Sequence, residues 1–284
     1  HTSFKIGGPA DILVLPESIE QLREVLKVVK ETVVPLTLLG NGSNVLVRDK
    51  GIRGIVIKLG NMLRHFYEAE DLLVFGSGYS LALASYKAME CGKTGMEFAV
   101  GIPGSIGGAV YMNAGAYDGE MQNIVNCVKV MDLQGNERVL TAEELNFGYR
   151  KTSLQNSGLI VTEVTLKMPS GNKDEIKSKM DDFSHRRISK QPLEMPSAGS
   201  MFKRPPGYFA GTLIDQAGLK GYTVGGAQIS TKHAGFVVNV GGATAADVLQ
   251  LIKDVQTKIK AGVGVELQPE VLVIGAVSYT HLRA

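Results

Sequence analysis

The spacing of apolar residues changes period several times along the chain. Between Glu17 and Glu31, Leu22, Val25, Leu26 and Val29 recur at helical spacing, with acidic residues early and Lys30 late. That pattern predicts an amphipathic helix whose charges suit its dipole. Short apolar runs follow at Leu36 to Leu39, Val45 to Val47 and Ile55 to Ile57; each reads as a strand, making the first lobe a small βαββ unit. Further on come a strand over Leu72 to Phe75, a helix over Ser80 to Glu90, and a hairpin joining Cys127 to Asp132 with Arg138 to Leu140 around Gln134-Gly135-Asn136. Leu159 to Met168 is a strand, and Asn172 to Arg187 is a charged helix. The stretch from Gln191-Pro192 to Pro196 reads as a hinge into another unit. Beyond it the pattern predicts a helix near Phe209 to Ala217 stopped by Gly218, and a strand from Gly235 to Val240. A long helix from Ala245 to Lys260 follows, capped by Thr244 with Asp247 three residues on, then a strand from Val265 to Ile274. The order is that of an α+β protein without internal repeats or low-complexity segments.

Composition narrows the function classes. The 284 residues are 44% hydrophobic and 20% charged, enough for two lobes with real cores. Thirty Lys+Arg against 28 Asp+Glu leave a net charge of +2, far from the basic excess that drives binding to a nucleic-acid backbone. Cys91 and Cys127 lie in apolar contexts without CxxC or metal-ligand spacing, so a reduced compartment and no metal site are expected. No apolar run approaches the ~18 residues of a membrane span. The start lacks the basic and apolar regions of an export signal, and a cytoplasmic location is expected. The chain opens on His1 rather than Met, which suggests that natural residues precede it, and Val277 to Ala284 carry no usable pattern.

The candidate chemistry lies in loops. Gly40-Asn41-Gly42-Ser43-Asn44 and Gly101-Ile102-Pro103-Gly104-Ser105-Ile106-Gly107-Gly108 are both rich in glycine and follow strands. Glycines let backbone N–H groups approach an anion, and Ser or Asn adds donors without bulk. Either loop alone reads equally well as a tight turn; two in one lobe suggest a diphosphate. Neither has the Gly-Lys-Ser/Thr of a Walker loop or the strand-GxGxxG-helix dinucleotide fingerprint, which disfavours a kinase or an ordinary Rossmann dehydrogenase. Asn113-Ala114-Gly115-Ala116-Tyr117 combines small residues with amide and phenol donors, as a flat polar ring requires, although a surface turn has the same composition. Tyr149 beside Arg150 offers a guanidinium able to grip a carboxylate bidentately. Ser200, within Ser197-Ala198-Gly199-Ser200-Met201-Phe202-Lys203, is expected in a small-residue turn that buries its hydroxyl beside space for a ligand. Glu270, in Leu267-Gln268-Pro269-Glu270-Val271, is expected as a lone carboxylate on an apolar strand.

Taken in order, GNGSN, GIPGSIGGA, NAGAY, FGYR, AGSMFK, GGAQISTKHAGFVVN and LQPEV resemble the UDP-N-acetylenolpyruvoylglucosamine reductase (MurB) family over Thr2 to about Gly275. The absence of a tyrosine-bearing insertion in the last lobe is similar to the shorter, type II form. The resemblance implies an FAD-binding lobe of the vanillyl-alcohol-oxidase (PCMH) type, made of two α+β subdomains over residues 1–60 and 61–189. A smaller α+β substrate-binding domain over 190–276 and a tail of unclear status over 277–284 complete the expected organisation. It implies FAD held non-covalently, since the first loop contains neither His nor Cys, with NADPH as co-substrate, a UDP-sugar substrate and no obligatory protein partner. The flavin residues implied are Asn41, Gly42, Ser43, Asn44, Gly101, Ile102, Pro103, Gly104, Ser105, Gly107, Gly108, Asn113, Gly115, Tyr117 and Ile160. Tyr149, Lys190, Lys203, Lys220 and His233 are implied as substrate contacts.

The implied reaction turns an enolpyruvyl ether into a lactyl ether in peptidoglycan synthesis. Hydride added to an unsaturated carboxylate creates an enolate, and only groups placed to meet its charge lower the barrier. Arg150 matches the family residue for that task, Glu270 its acidic partner if protonated, and Ser200 the general acid that protonates C2. Leu272 stands where the family often has a basic residue, and the tail departs from the family pattern. Two alternatives remain open on the residues: a flavin oxidase of an alcohol or sugar on the same fold, and a non-catalytic flavin or nucleotide-sugar binding protein. The match at Arg150, Ser200 and Glu270 argues against both.

Overall fold

A computed structural model describes residues 1–59 and 63–276; the expected tail beyond 276 and the subdomain boundary at 60/61 fall outside them. In chain order the elements begin with β1 (Ala10–Val14), α1 (Ile19–Thr32), β2 (Leu36–Leu39), β3 (Val45–Val47), β4 (Ile52–Lys58), β5 (Phe66–Ala69), β6 (Leu72–Gly76) and α2 (Leu81–Glu90). Next come α3 (Ile106–Tyr111), β7 (Gly115–Ala116), β8 (Gly119–Glu120), β9 (Val125–Met131), β10 (Glu137–Thr141), β11 (Ile160–Lys167) and α4 (Lys173–Lys190). The last are β12 (Ser197–Ser200), α5 (Ala210–Gln216), β13 (Thr223–Val224), β14 (Ala227–Ile229), β15 (Phe236–Asn239), α6 (Ala245–Val263) and β16 (Leu272–Ile274).

The described residues divide into two compact units: one from residues 13–41 and 55–187, and one from residues 1–12, 42–54 and 188–276. The larger unit is built on a five-stranded sheet in the order β10-β9-β11-β6-β5, antiparallel at every pairing. Its core joins Leu73 and Phe75 of β6, Val128 and Val130 of β9 and Val164 and Leu166 of β11 to Leu81 and Ala84 of α2 and Ile106 and Val110 of α3. Alternate strand residues point to one face, which is why the sheet contributes every second position to that core. Leu22 and Leu26 of α1, on the predicted apolar face, pack with Ile55, Ile57, Met131 and Ile160. Ser18 caps α1 by accepting from Gln21 N, and Ser80 caps α2 by accepting from Leu83 N. Ile176, Met180, Phe183 and Arg187, at spacings of four, three and four, form the buried face of α4.

The second unit carries the antiparallel sheet β12-β15-β14-β13 and the parallel pair β16-β3. Against the sheet pack Val248, Leu251, Ile252 and Val255 of α6, with Leu213 and Ile214 of α5. Thr244 and Asp247 form the expected capping box at the start of α6, and Gly264 ends it at φ +71°. Asp49 adds a cap that no local pattern announces: its carboxylate accepts from Ala245 N at 2.7 Å and Ala246 N at 3.0 Å. No helix of the described residues is long and apolar enough to cross a membrane.

Three differences from the sequence expectations bear on the site. β3 leaves the expected βαββ arrangement and pairs in parallel with β16, while β1, β4 and β2 form their own sheet. The strand expected over Val265 to Ile274 is only Leu272–Ile274, because Leu267 to Glu270 turn back toward Met201 and Lys203 instead of pairing along their length. Ser200 ends a strand rather than sitting in a turn. A bulge at Gly199, with φ +77°, shifts the register between Ser197 and Ser200 and leaves Ser200 exposed, not buried.

Candidate active site

In the larger unit the two ends of the glycine pattern meet. A Cβ added to Gly40 would lie 3.0 Å from Ser105 Oγ, so the backbone leading into Asn41 runs against the second loop. Gly101 at φ +70° and Gly104 at φ +135° adopt left-handed geometry that side-chain-bearing residues avoid. Ser105 is buried, caps α3 and accepts from Gly108 N at 3.3 Å. Gly107 N donates to Ser77 O at 2.9 Å, and a methyl at 107 would fall 2.7 Å from Ser77 Cβ; glycine is what lets helix and strand come this close. Ile102 packs against the core below, partly buried, and Pro103 follows it in the loop.

Downstream, β7 and β8 form a tight hairpin whose central residues, Tyr117 at φ +48° and Asp118 at φ +63°, are both left-handed, as a type I′ turn demands. Gly115 is required there, since a Cβ would meet Gly119 O at 2.6 Å. Tyr117 stacks on Phe183 with ring centroids 4.3 Å apart and donates its hydroxyl to Phe183 O. Asn113 is fully buried at φ +42°. Its amide donates to Glu120 Oε2 at 3.1 Å and Gly148 O at 3.0 Å and accepts from Gln122 N at 3.0 Å. Both amide hydrogens are thus spent on the protein, one of them on the Gly148 turn. Ile160 likewise turns its side chain into the core, so only its backbone can face a ligand.

The Gly148 turn carries Arg150. Gly148 and Lys151 exchange both backbone hydrogen bonds, at 2.9 and 3.1 Å, leaving Tyr149 and Arg150 at the tip. Arg150 has φ +55°, a conformation that glycine or asparagine usually fills at this turn position. Its guanidinium donates to Asn113 O at 3.2 Å and Gly115 O at 2.9 Å and lies 4.9 Å from the exposed Tyr149 ring. Two backbone carbonyls and an aromatic ring therefore fix the plane of the fork.

In the smaller unit, residues far apart in sequence are joined by their backbones. Glu270 N donates to Met201 O at 2.9 Å, and Lys203 N donates to Gln268 O at 2.8 Å, which sets the end of β12 beside the Glu270 segment. Asn44 Nδ2 donates to Glu270 O at 3.3 Å, and Leu272 N donates to Asn44 O at 3.0 Å. Ser200, Glu270 and the second half of the first glycine loop, Gly42 to Asn44, are consequently neighbours. Gly42 is buried under the N-terminal residues: Ser3 N donates to its carbonyl at 3.1 Å, and Ser3 Oγ donates to Ser197 O at 2.7 Å. Glu270 itself is half-buried and outside any strand.

His233 follows β14, its ring edge-on to Phe236 at 5.1 Å, opposite Ser200 in the β12-β15 register. Burial and the positive charges of Lys220 and Lys190 hold its pKa below the usual histidine range. Its Nδ1 accepts from Gly235 N at 3.1 Å, so in the neutral ring Nε2 carries the proton. Lys190 and Lys220 are exposed, the latter paired with Asp215 at 2.7 Å, and Lys203 is half-buried. Cys91 donates to Glu68, and burial with that partner pushes its thiol up to about 11, which keeps it protonated and unreactive. Among the described residues no group of three or more His, Cys, Asp or Glu gathers to hold a metal ion.

A family model described as an FAD binding domain matches residues 10–141, and one described as the UDP-N-acetylenolpyruvoylglucosamine reductase C-terminal domain matches residues 191–274. The chain is 52% identical over 275 residues to UDP-N-acetylenolpyruvoylglucosamine reductase of Clostridium perfringens strain SM101, covering 97% of this chain and 90% of the relative. The chain belongs to the UDP-N-acetylenolpyruvoylglucosamine reductase family. The Clostridioides difficile strain 630 reductase is 50% identical over the same share of this chain. The crystal structure of MurB from Thermus caldophilus matches with a TM-score of 0.81 at 40% identity, covering 96% of this chain and 95% of that one. As a MurB family reductase, the chain is an oxidoreductase of peptidoglycan synthesis with an FAD-binding domain, in the α+β class expected from its pattern.

The residues of the larger unit fit that cofactor. Gly101 to Ser105 and Gly40-Asn41 present backbone and small side chains on adjoining loops, as a diphosphate needs. Beside them Ser77 Oγ is buried without a hydrogen-bond partner among the described residues. No local pattern announces Ser77, Asp49 or Ser3. Ser77 lies in an ordinary strand end, and the partners of Asp49 and Ser3 are nearly 200 residues away. Glu97 did carry a signal, Thr94-x-x-Glu97. Its buried carboxylate accepts from Thr94 Oγ1 at 2.6 Å and Gly95 N at 2.8 Å, bracing the chain just before Gly101.

Proposed function

We propose that this MurB family reductase uses NADPH, through non-covalently held FAD, to reduce the enolpyruvyl ether of UDP-N-acetylglucosamine to the lactyl ether of UDP-N-acetylmuramate. The observation that carries the reading is the backbone convergence in the smaller unit. Glu270 N on Met201 O, and Asn44 on the Glu270 carbonyl, gather Ser200, Glu270 and a glycine loop from three separate stretches of sequence.

FAD, when bound, supplies the hydride that NADPH delivers. Reduction puts a second negative charge on a substrate that already bears a carboxylate, and Arg150 and Glu270 meet it. Arg150 suits the task because its fork is immobilised by Asn113 O and Gly115 O and need not reorganise as charge develops. Ser200 delivers the proton to C2. Its exposure at the Gly199 bulge leaves the hydroxyl accessible, and a weak acid suffices because the carbanionic centre is far more basic than a carboxylate. Lys190, Lys203, Lys220, His233 and Tyr149 hold the UDP-sugar; the first four offer donors to phosphate oxygens. In this reading residues 1–60 and 61–189 serve the flavin and residues 190–276 the sugar nucleotide.

The test is anaerobic stopped-flow absorbance. NADPH should bleach the flavin, UDP-N-acetylglucosamine enolpyruvate should restore its colour, and Ser200→Ala should keep the first step while losing turnover. Bleaching without reoxidation by the sugar would mean that the acceptor is misassigned.

A further inference from the structure

Ser77 is 3% exposed, and its Oγ has no hydrogen-bond partner among the described residues, whereas the buried hydroxyls of Ser85, Thr162 and Ser105 are engaged. Ser85 Oγ donates to Ala82 O at 2.7 Å, Thr162 Oγ1 donates to Lys129 O at 3.1 Å, and Ser105 Oγ accepts from Gly108 N at 3.3 Å. An unmade hydrogen bond at a buried hydroxyl costs free energy that an alanine at the same place would avoid. Ser77 nevertheless fills the position. Its backbone is fully used, N donating to Thr162 O at 3.0 Å and O accepting from Gly107 N at 2.9 Å, so only the side chain is unaccounted for.

The surroundings say what the hydroxyl is for. The turn after β6 clasps the second glycine loop: Leu81 N donates to Gly104 O at 3.1 Å, Ile106 N donates to Tyr79 O at 2.9 Å, and Ser80 bridges Ser105. Ser77 Cβ is the atom that a methyl at Gly107 would strike first, at 2.7 Å. The hydroxyl therefore lies on the glycine stretch itself, in the unit that carries the FAD-binding match and next to the loop that Gly40 and Asn41 adjoin.

We infer that Ser77 is a further cofactor-binding residue, its Oγ hydrogen-bonding to bound FAD. This rests on the assignment of the larger unit to FAD. The expected signature has two opposite signs. Without flavin, Ser77→Ala removes an unsatisfied group, so the thermal midpoint of the FAD-depleted protein stays level or rises. With flavin, the variant loses one hydrogen bond, so FAD affinity falls by roughly threefold to tenfold.

Fluorescence titration of FAD into depleted wild type, Ser77→Ala and Ser77→Thr reads the affinity, and calorimetric scans of the same samples read stability. Should depletion unfold the protein, flavin release on heating the holoprotein reads the same order of affinities. Weaker binding by Ser77→Ala with an unlowered midpoint, and recovery in Ser77→Thr, is the predicted result. A lowered midpoint with unchanged FAD affinity would overturn the inference and assign the hydroxyl to an internal water. Wild type that binds no FAD at all would instead overturn the reading of the unit.

Discussion

Replacing Arg150 by glycine and, separately, by alanine divides what its guanidinium contributes from the strain of the backbone that presents it. The left-handed φ of +55° costs a residue with a Cβ about 1–2 kcal/mol. Glycine avoids that cost but loses about 0.4–1 kcal/mol more entropy on folding. The glycine variant should therefore be the more stable of the two by about 0.5–1 kcal/mol, the reverse of the order at an ordinary turn or helix position. Both variants lose the guanidinium bonds to Asn113 O and Gly115 O, worth about 1–2 kcal/mol together once half-exposure is discounted. Urea unfolding followed by circular dichroism measures the difference directly, and single-turnover reoxidation by the sugar substrate measures the chemistry. Both variants should lose at least about 100-fold in that step, as removal of a positioned donor to a developing oxyanion does. An alanine variant as stable as the glycine one would show that the turn relaxes and stores no strain. Either variant keeping its turnover would remove Arg150 from the mechanism.

Val33 ends α1 at φ +54° and is 87% exposed, so it pays left-handed strain with no packing in return; Val33→Gly should gain about 1 kcal/mol by urea unfolding with activity unchanged. Asp49→Ala removes both carboxylate bonds to the start of α6 and should cost about 1 kcal/mol, with Asp49→Asn recovering part of it; equal stability of Asp49→Ala and wild type would deny the cap. Glu97 gives a pH dependence: burial would raise its pKa, but hydrogen bonds from Thr94, its own N–H and Gly95, with Lys179, outweigh burial and lower it. A carboxyl lowered in the folded state stabilises above its unfolded value of 4.5 and loses that contribution as pH falls through the folded value. Glu97→Gln should thus be less stable at pH 7 and lose less on acidification below pH 4.5, and parallel stability curves for the two proteins would exclude it.

The regular elements were legible wherever one physical signal dominated. The apolar face of α1, the Thr244-Asp247 box of α6 and the runs at Leu36–Leu39 and Val45–Val47 are local patterns, and the structure has them at or near the expected bounds. What the pattern missed has non-local causes. β1, β5 and β12 to β14 are too short or too mixed to stand out, and they exist because a neighbour supplies their hydrogen bonds. β3 was legible as a strand, but its partner, β16, lies more than 200 residues on. The glycine loops and Glu270 were found as motifs, yet nothing in their spacing says that Asn44 holds the Glu270 carbonyl. Small residues around Ser200 read as a buried turn; the bulge at Gly199 gives the same composition an exposed strand end.

The strain in the larger unit is gathered rather than scattered. Asn113, Tyr117, Asp118, Asn146, Arg150 and Asn156 all have positive φ, six of the nine non-glycine cases among the described residues. Two of them hold each other: Asn113 Nδ2 donates to Gly148 O, fixing the turn, while Arg150 donates back to Asn113 O. Neither residue is at its backbone minimum, and each is kept there by a bond the other supplies, which is how a sparsely populated conformation persists. On the proposed role of Arg150, Asn113, with both amide hydrogens committed, is a residue that positions it. An Asn113→Ala change should then resemble Arg150→Ala in the sugar-dependent step, and the two losses should not add in the double variant, because residues that share one bond network are coupled.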